Sequence, residues 1–252
     1  MDIILYILLF CIGTVFGSFF TLAVSRIPIG QDITHERSYC PNCNHKLNFL
    51  DMIPILSYIF LGGKCRSCKE KISIQYPIVE ILNAILYIAI YLKFGFTLNL
   101  FKFCLFASLL IVIGFIDFKT KYVYNSTVVF GVVSGILFAV LEWMETKSIP
   151  WNYIAGAFIG FGIIYLIVIL TRGMGEGDID IALICGLFLG IKGILVTLFL
   201  AIILGGIVAT IILIFKLKER KAEIAFGPYL AIGGIIACLY GSRLIDIYLG
   251  LF

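Results

Sequence analysis

The 252-residue chain is 62% hydrophobic and only 13% charged, with a mean hydropathy of +1.11; soluble domains carry about a quarter charged residues, so an ordinary soluble fold is excluded. The apolar residues come in continuous runs rather than in alternation. That excludes a membrane β-barrel and leaves an all-α polytopic membrane protein in a lipid bilayer. The net charge of +4 calls for no nucleic-acid partner, and the placement of the basic residues is the more informative signal.

Spans are predicted near 3–25, 75–94, 98–116, 123–141, 151–171, 178–191, 194–215 and 225–249. The first run has no basic n-region and outlasts a signal-peptide core, and its first basic residue, Arg26, follows it. It reads as a retained signal anchor with its N-terminus outside. Ile27-Pro28 ends that helix by removing a donor and restricting the preceding residue. The sixth run is short and meets the seventh at Gly190-Ile191-Lys192-Gly193. It is a half-length helix or part of a bent hairpin, so about eight transmembrane helices are expected, with seven as the alternative.

Loop charge orients the bundle. Arg26, Arg37, Lys46, Lys64, Arg66, Lys69 and Lys71 crowd residues 26–74, which places that segment in the cytoplasm. Alternation then puts Lys119, Lys121, Arg172 and the Lys216–Lys221 run inside as well. Lys93, Lys102, Lys147 and Lys192 are left outside. The expected organisation is a first transmembrane helix at 1–25, a small cytoplasmic loop domain at 26–74 and a transmembrane domain at 75–252.

Within the loop domain, Cys40-Pro-Asn-Cys43 and Cys65-Arg-Ser-Cys68 repeat a Cys-x2-Cys spacing. Two such knuckles present four thiolates to one tetrahedral ion, the usual arrangement of structural zinc. The alternatives are two disulfides, which a reducing cytoplasm disfavours, or four unrelated thiols. Four sulfurs complete a site, so His35 and His45 are not expected as ligands. With no open position, such a zinc holds the loop together and does not activate water. Cys11, Cys104, Cys185 and Cys238 lie in apolar runs and read as small core residues.

Ionisable residues in spanning segments point to function. Asp117 closes "LLIVIGFID" and Asp178 closes "GMGEGD". In the expected topology both reach the cytoplasmic boundary, facing each other across the third and sixth spans. Two carboxylates at hydrogen-bond range share a proton, which allows one to activate water while the other polarises a carbonyl. Gly175 and Gly177 are then expected to let a substrate strand approach, and to take positive φ. The competing reading makes both acids helix caps. Glu176, in the loop, and Asp180, on another face, are rivals for the second acid. Glu80, early in the second span, pairs with a basic loop residue or lines a substrate groove.

"GSFFTLAVSRIP" (17–28), the paired cysteines, "IPILSY" (53–58), "GGKCRSCKEKISIQYPIVE" (62–80), "IDFKT" (116–120), "GMGEGD" (173–178) and "FGPYLAIGG" (226–234) together resemble the prepilin peptidases, or type IV leader peptidases. The resemblance implies a bacterial inner-membrane aspartic endopeptidase of the Gly-x-Gly-Asp type, with Asp117 and Asp178 catalytic. It implies cleavage of prepilin and pseudopilin leaders after a glycine at the cytoplasmic face, and in many members S-adenosylmethionine-dependent methylation of the new N-terminus. Read from their own positions, Gly175, Gly177, Glu176 and Glu80 are the candidate substrate-binding residues. Two positions depart from the family pattern. Val123-Tyr124 stands where Ile-Pro is usual, and Asp180 stands where a lysine is usual, bringing an anion toward the dyad.

A cleavage-only peptidase is the nearest alternative. A proton-coupled transporter would place its acids near the midplane between related halves, and a non-catalytic scaffold would leave the Gly-x-Gly-Asp stretch without a purpose. The chain shows no glycine-rich strand–turn–helix signature for a methyl donor.

Overall fold

The computed structural model describes residues 2–34, 38–171, 173–215 and 225–250. His35, Arg37, Arg172 and the Lys216–Lys221 run lie outside the described residues. Contacts divide the chain into two compact units, Met1–Leu100 and Phe101–Phe252.

The first unit pairs two long helices, α1 (Asp2–Arg26) and α3 (Gln75–Phe94). Lipid supplies no hydrophobic drive between spanning helices, so close packing of small residues must bring them together. Gly13 and Gly17 do this: an added Cβ at either would sit 2.6 Å from the α3 backbone, at Ala84 and Glu80 respectively. The helix α1 stops at Arg26, where a 3-10 turn over Ile27–Ile29 carries Pro28, as its sequence predicts. The segment between α1 and α3 holds two short hairpins, a 3-10 turn (Phe49–Asp51) and a five-residue helix, α2 (Leu56–Phe60).

In the second unit, α4 (Leu98–Thr120) is the best-buried helix, with Phe106, Leu110, Ile113 and Ile116 almost wholly enclosed. It is followed by α5 (Asn125–Thr146), α6 (Trp151–Thr171), α7 (Glu176–Ile214) and α8 (Gly227–Leu249). Lys102, expected near a helix start on the outer side, lies close to the start of α4 and is buried there. Its ammonium lies 3.3 Å from the Glu142 carboxylate and 3.6 Å from the centre of the Tyr153 ring, and the Tyr153 hydroxyl donates to the same carboxylate. The pairing and the ring face are what make a buried ammonium tolerable.

Among the described residues, seven helices are long and apolar enough to cross a bilayer, where about eight were expected. The two predicted runs 178–191 and 194–215 form the single element α7, interrupted at Gly190 (φ 71°, ψ −174°). That backbone conformation belongs to glycine. A Cβ added at Gly160 of α6 would lie 2.5 Å from the Ala182 carbonyl oxygen and 2.9 Å from the Ile194 side chain. Residues twelve apart in a straight helix are about 18 Å apart, so the arms of α7 fold back beside one another against α6. The first arm, Glu176 to Leu189, is about 21 Å long at 1.5 Å per residue, shorter than the roughly 30 Å of a hydrocarbon core. The bent-hairpin alternative describes this element.

Candidate active site and metal centre

Asp117 lies at the start of the last turn of α4 and is 5% exposed. Its Oδ2 accepts the backbone N–H of Gly227 at 3.0 Å. Gly227 begins α8, so the N-terminal, partially positive end of one helix meets the carboxylate ending another. The approach requires glycine, because a Cβ at 227 would stand 2.5 Å from that oxygen and 2.9 Å from Ile181. Pro228 follows, at a helix position where a missing N–H costs nothing.

Asp178 lies in the first turn of α7 and is also 5% exposed. Its Oδ2 accepts the Gly175 N–H at 3.1 Å while its own N–H donates to the Gly175 carbonyl at 3.1 Å. The capping reading therefore holds for Asp178 as a local fact. It does not account for Asp117, whose partner comes from a helix far along the chain. The two carboxyls are close enough for the charge of Asp117 to act on Asp178. The third and sixth predicted spans do meet there.

Two glycines of "GMGEGD" do not take the backbone conformation expected of them. Gly175 is extended at φ −75°, and neither Gly175 nor Gly177 takes positive φ. Gly177 makes room instead: a Cβ there would lie 2.6 Å from Val123 Cγ2. Val123 is buried against it and ties the α4–α5 connection to the start of α7. Gly175 faces open space apart from Asp178, since its added Cβ would meet only that Oδ2, at 3.7 Å. Glu176 is exposed and Asp180 half-buried. Glu80, expected to bind substrate or a basic loop residue, lies in the first unit. Its carboxylate accepts the Ile55 N–H at 2.7 Å and a bond from Ser18.

The four cysteines converge. Each pair sits in its own hairpin, built alike: Cys40 N–H donates to the His45 carbonyl and Cys65 N–H to that of Glu70. Asn44 N–H returns to Cys40 and Lys69 N–H to Cys65. Asn44 and Lys69 both take positive φ, at 55° and 60°. All four Sγ atoms lie within 4.8 Å of one another, with Cys40–Cys68 at 3.8 Å and Cys43–Cys65 at 4.0 Å. Zinc–sulfur bonds of about 2.3 Å in a tetrahedron give sulfur–sulfur edges of about 3.8 Å, so the donor set fits zinc. Backbone N–H groups of Cys68 and Ser67 pull the Cys65 thiol down to about 7. For Cys68 the Glu70 N–H acts the same way, but burial and the neighbouring sulfurs push it up to about 11. A metal displaces the protons such a crowded set would otherwise share.

Sequence reasoning gave no role to Gly227 or Asp51. Asp51 is buried between the hairpins, and its carboxylate takes Arg66 Nη2 at 2.7 Å and Nε at 2.8 Å, with the Asn48 N–H on the other oxygen at 3.2 Å. Arg66 belongs to the second Cys-x2-Cys pair, so the ion pair clasps one knuckle to the connecting segment.

Residues 11–94 match the bacterial peptidase A24 N-terminal domain, and residues 104–210 match the type IV leader peptidase family. A prepilin leader peptidase/N-methyltransferase of Bacillus subtilis is 32% identical over 96% of this chain and 97% of its own length. Enzymes of the same description from Aeromonas hydrophila and Pseudomonas putida are each 28% identical, over 96% and 92% of this chain and 93% and 90% of theirs. No solved structure matches the chain significantly.

Proposed function

The chain belongs to the type IV leader peptidase family, and from that premise we propose that Asp117 and Asp178 are the catalytic pair of an aspartic endopeptidase. The observation that carries this is the convergence of two buried carboxyls from α4 and α7, one of them held by the N-terminus of α8. The ionised member takes a proton from water, and the oxygen so freed attacks the scissile carbonyl carbon. The protonated member gives its proton to the carbonyl oxygen. Collapse of the tetrahedral intermediate breaks the C–N bond, and the leaving amine collects a proton from the pair.

The substrates are prepilins and pseudopilins, cut after a glycine between a basic leader and an apolar helix. Loop charge supports a cytoplasmic site in a bacterial inner membrane. The substrate helix stays in lipid and docks laterally, and the extended segment at the scissile bond runs along the open side of Gly175. Exposed Glu176, with Asp180 behind it, attracts the basic leader. Zinc held by Cys40, Cys43, Cys65 and Cys68 keeps the loop domain folded. Methylation of the new N-terminus from S-adenosylmethionine follows cleavage, a reading supported by the description shared by the relatives.

Asp117→Asn and Asp178→Asn each keep side-chain shape and remove the titratable group. Each is expected to lower cleavage of a co-expressed prepilin by about 10²–10⁴-fold, the range of acid–base catalysis, while the protein still accumulates in the membrane. Mass spectrometry of the pilin reads the cut site and the methyl group together. Near-normal cleavage in either variant would reassign that acid, with Glu176 and Asp180 next in line.

A further inference from the structure

The segment between the two knuckles has no task in the chemistry above, yet it is the greasiest part of an otherwise polar loop. Phe49 and Phe60 are 79% and 83% exposed, and Leu50, Leu56 and Ile59 are exposed beside them. The Phe49–Asp51 turn packs on α2, so these side chains belong to neighbouring elements. Apolar clusters of this kind are normally covered by something.

Two independent observations identify the cover. One is depth. Ile55 starts α2 by donating its N–H to Glu80 at 2.7 Å, and Glu80 lies about 7.5 Å along α3 from Gln75 at 1.5 Å per residue. The 20 residues of α3 cover about 30 Å, the thickness of a hydrocarbon core, so Glu80 lies within about 10 Å of that core's edge and the start of α2 is tied at that level. Ile55 takes φ 61° there, an outlier for a β-branched residue, at the point where the chain is tied to α3. The other observation is charge. Lys46, Lys64, Lys69 and Lys71 are exposed around the segment, Asp51 is buried on Arg66, and Glu70 is the single exposed acid across residues 38–74.

We propose that Phe49–Phe60 is an interfacial foot, its apolar side chains seated in the acyl boundary of the bilayer that α1 and α3 cross and its flanking lysines among anionic headgroups. Amphipathic surface elements insert about 5–10 Å in this way, and each nearby lysine adds attraction to anionic lipid. The foot anchors the loop domain to the membrane surface. The inference rests on the membrane-spanning reading of α1 and α3 and is independent of the catalytic pair.

The test places a tryptophan at Phe60 (Phe60→Trp) in full-length protein carrying Trp143→Phe and Trp151→Phe, reconstituted in vesicles brominated near the glycerol end of the acyl chains. Phe49→Trp is a second probe should the first fold poorly, and Asn42→Trp, on the exposed tip of the first knuckle, is the control. Both foot probes are expected to emit in the blue and to be quenched, more so when phosphatidylglycerol replaces phosphatidylcholine, while the control stays water-like and unquenched. Water-like, unquenched emission from both foot probes overturns the proposal. Emission that turns blue only on adding a prepilin assigns the surface to the substrate and overturns it too. Equal quenching of the control shows a loop submerged as a whole, which also defeats it. No readout involves cleavage, so failure here and failure of the catalytic assignment are distinguishable.

Discussion

In the cysteine cluster, each pair of ligands is three residues apart and is shaped by a hairpin of its own, with matching backbone bonds at Cys40 and Cys65. The carboxyl pair is assembled differently. Asp117 and Asp178 stand on helices separated in sequence by α5 and α6, and the group that orients Asp117 comes from α8. The first arrangement carries its geometry in local turns, whereas the second borrows it from the packing of a helix bundle. Damage at a distance should therefore reach the aspartates and leave the cysteines alone, and damage to a turn should do the reverse.

The sharpest way to break that contrast is Gly227→Ala. A methyl group 2.5 Å from Asp117 Oδ2 must displace the carboxylate or the start of α8. A misplacement of about 1 Å costs roughly 10²-fold in rate, so cleavage is expected to fall by about that factor with zinc content unchanged. Gly177→Ala should act in the same direction, because its new methyl meets Val123 Cγ2 at 2.6 Å. Here the clash has a removable partner. Val123→Gly in the same chain removes both Cγ2 at 2.6 Å and Cβ at 2.7 Å and should restore a large part of the activity, a coupling that a double-mutant cycle measures. Additive losses would show that Gly177 matters for the substrate rather than for Val123.

These two glycines also mark the limit of what the sequence made legible. The cysteines and both aspartates stood out because each lies in a short motif whose chemistry is carried by side chains. Gly227 acts through a backbone N–H, which any residue possesses, on an atom far away in the chain. Its visible trace was a Gly-Pro pair opening an apolar run. The glycines of "GMGEGD" read as positive-φ positions, yet the positive-φ glycine of α7 is Gly190, at the boundary between two apolar runs. That α7 folds back there, and that Lys102 turns inward to Glu142 and Tyr153, depend on tertiary partners that periodicity does not encode.

The converse test acts on the knuckles. Serine at Cys40 and Cys68 removes two of four ligands, so elemental analysis should fall from one zinc per chain to none, and the segment 38–74 should become readily proteolysed. Because the site is closed and distributes no chemistry to the dyad, cleavage should fall by less than the 10²-fold assigned to Gly227→Ala. Cleavage lost as completely as with Asp117→Asn would mean that the loop domain takes part in presenting substrate.

The smallest effect belongs to the clasp between Asp51 and Arg66. Burial works to raise the Asp51 carboxyl, but the Arg66 hydrogen bond, the Asn48 N–H and the Arg66 charge outweigh it and hold the group below its ordinary 3.8. A carboxyl lowered in the folded state contributes its full stability above the unfolded value and loses it as pH falls through the folded one. At neutral pH the clasp is therefore intact. Arg66→Gln removes the Arg66 hydrogen bond and charge but leaves the Asn48 N–H opposing burial, so the carboxyl should rise from its lowered position toward its ordinary value. The pH-linked part of the clasp's stability then shrinks, so the variant is weaker than wild type at neutral pH and loses less than wild type does as the pH falls through the carboxylate range. With Arg66 54% exposed, water screens the pair, and the loss at pH 7 should be about 1 kcal/mol or less. Hydrogen exchange at Asn48–Met52, followed from pH 7 to 5 in zinc-loaded protein, reads it directly. Exchange in Arg66→Gln equal to wild type at every pH would show that the two hairpins and the metal hold this segment without the clasp.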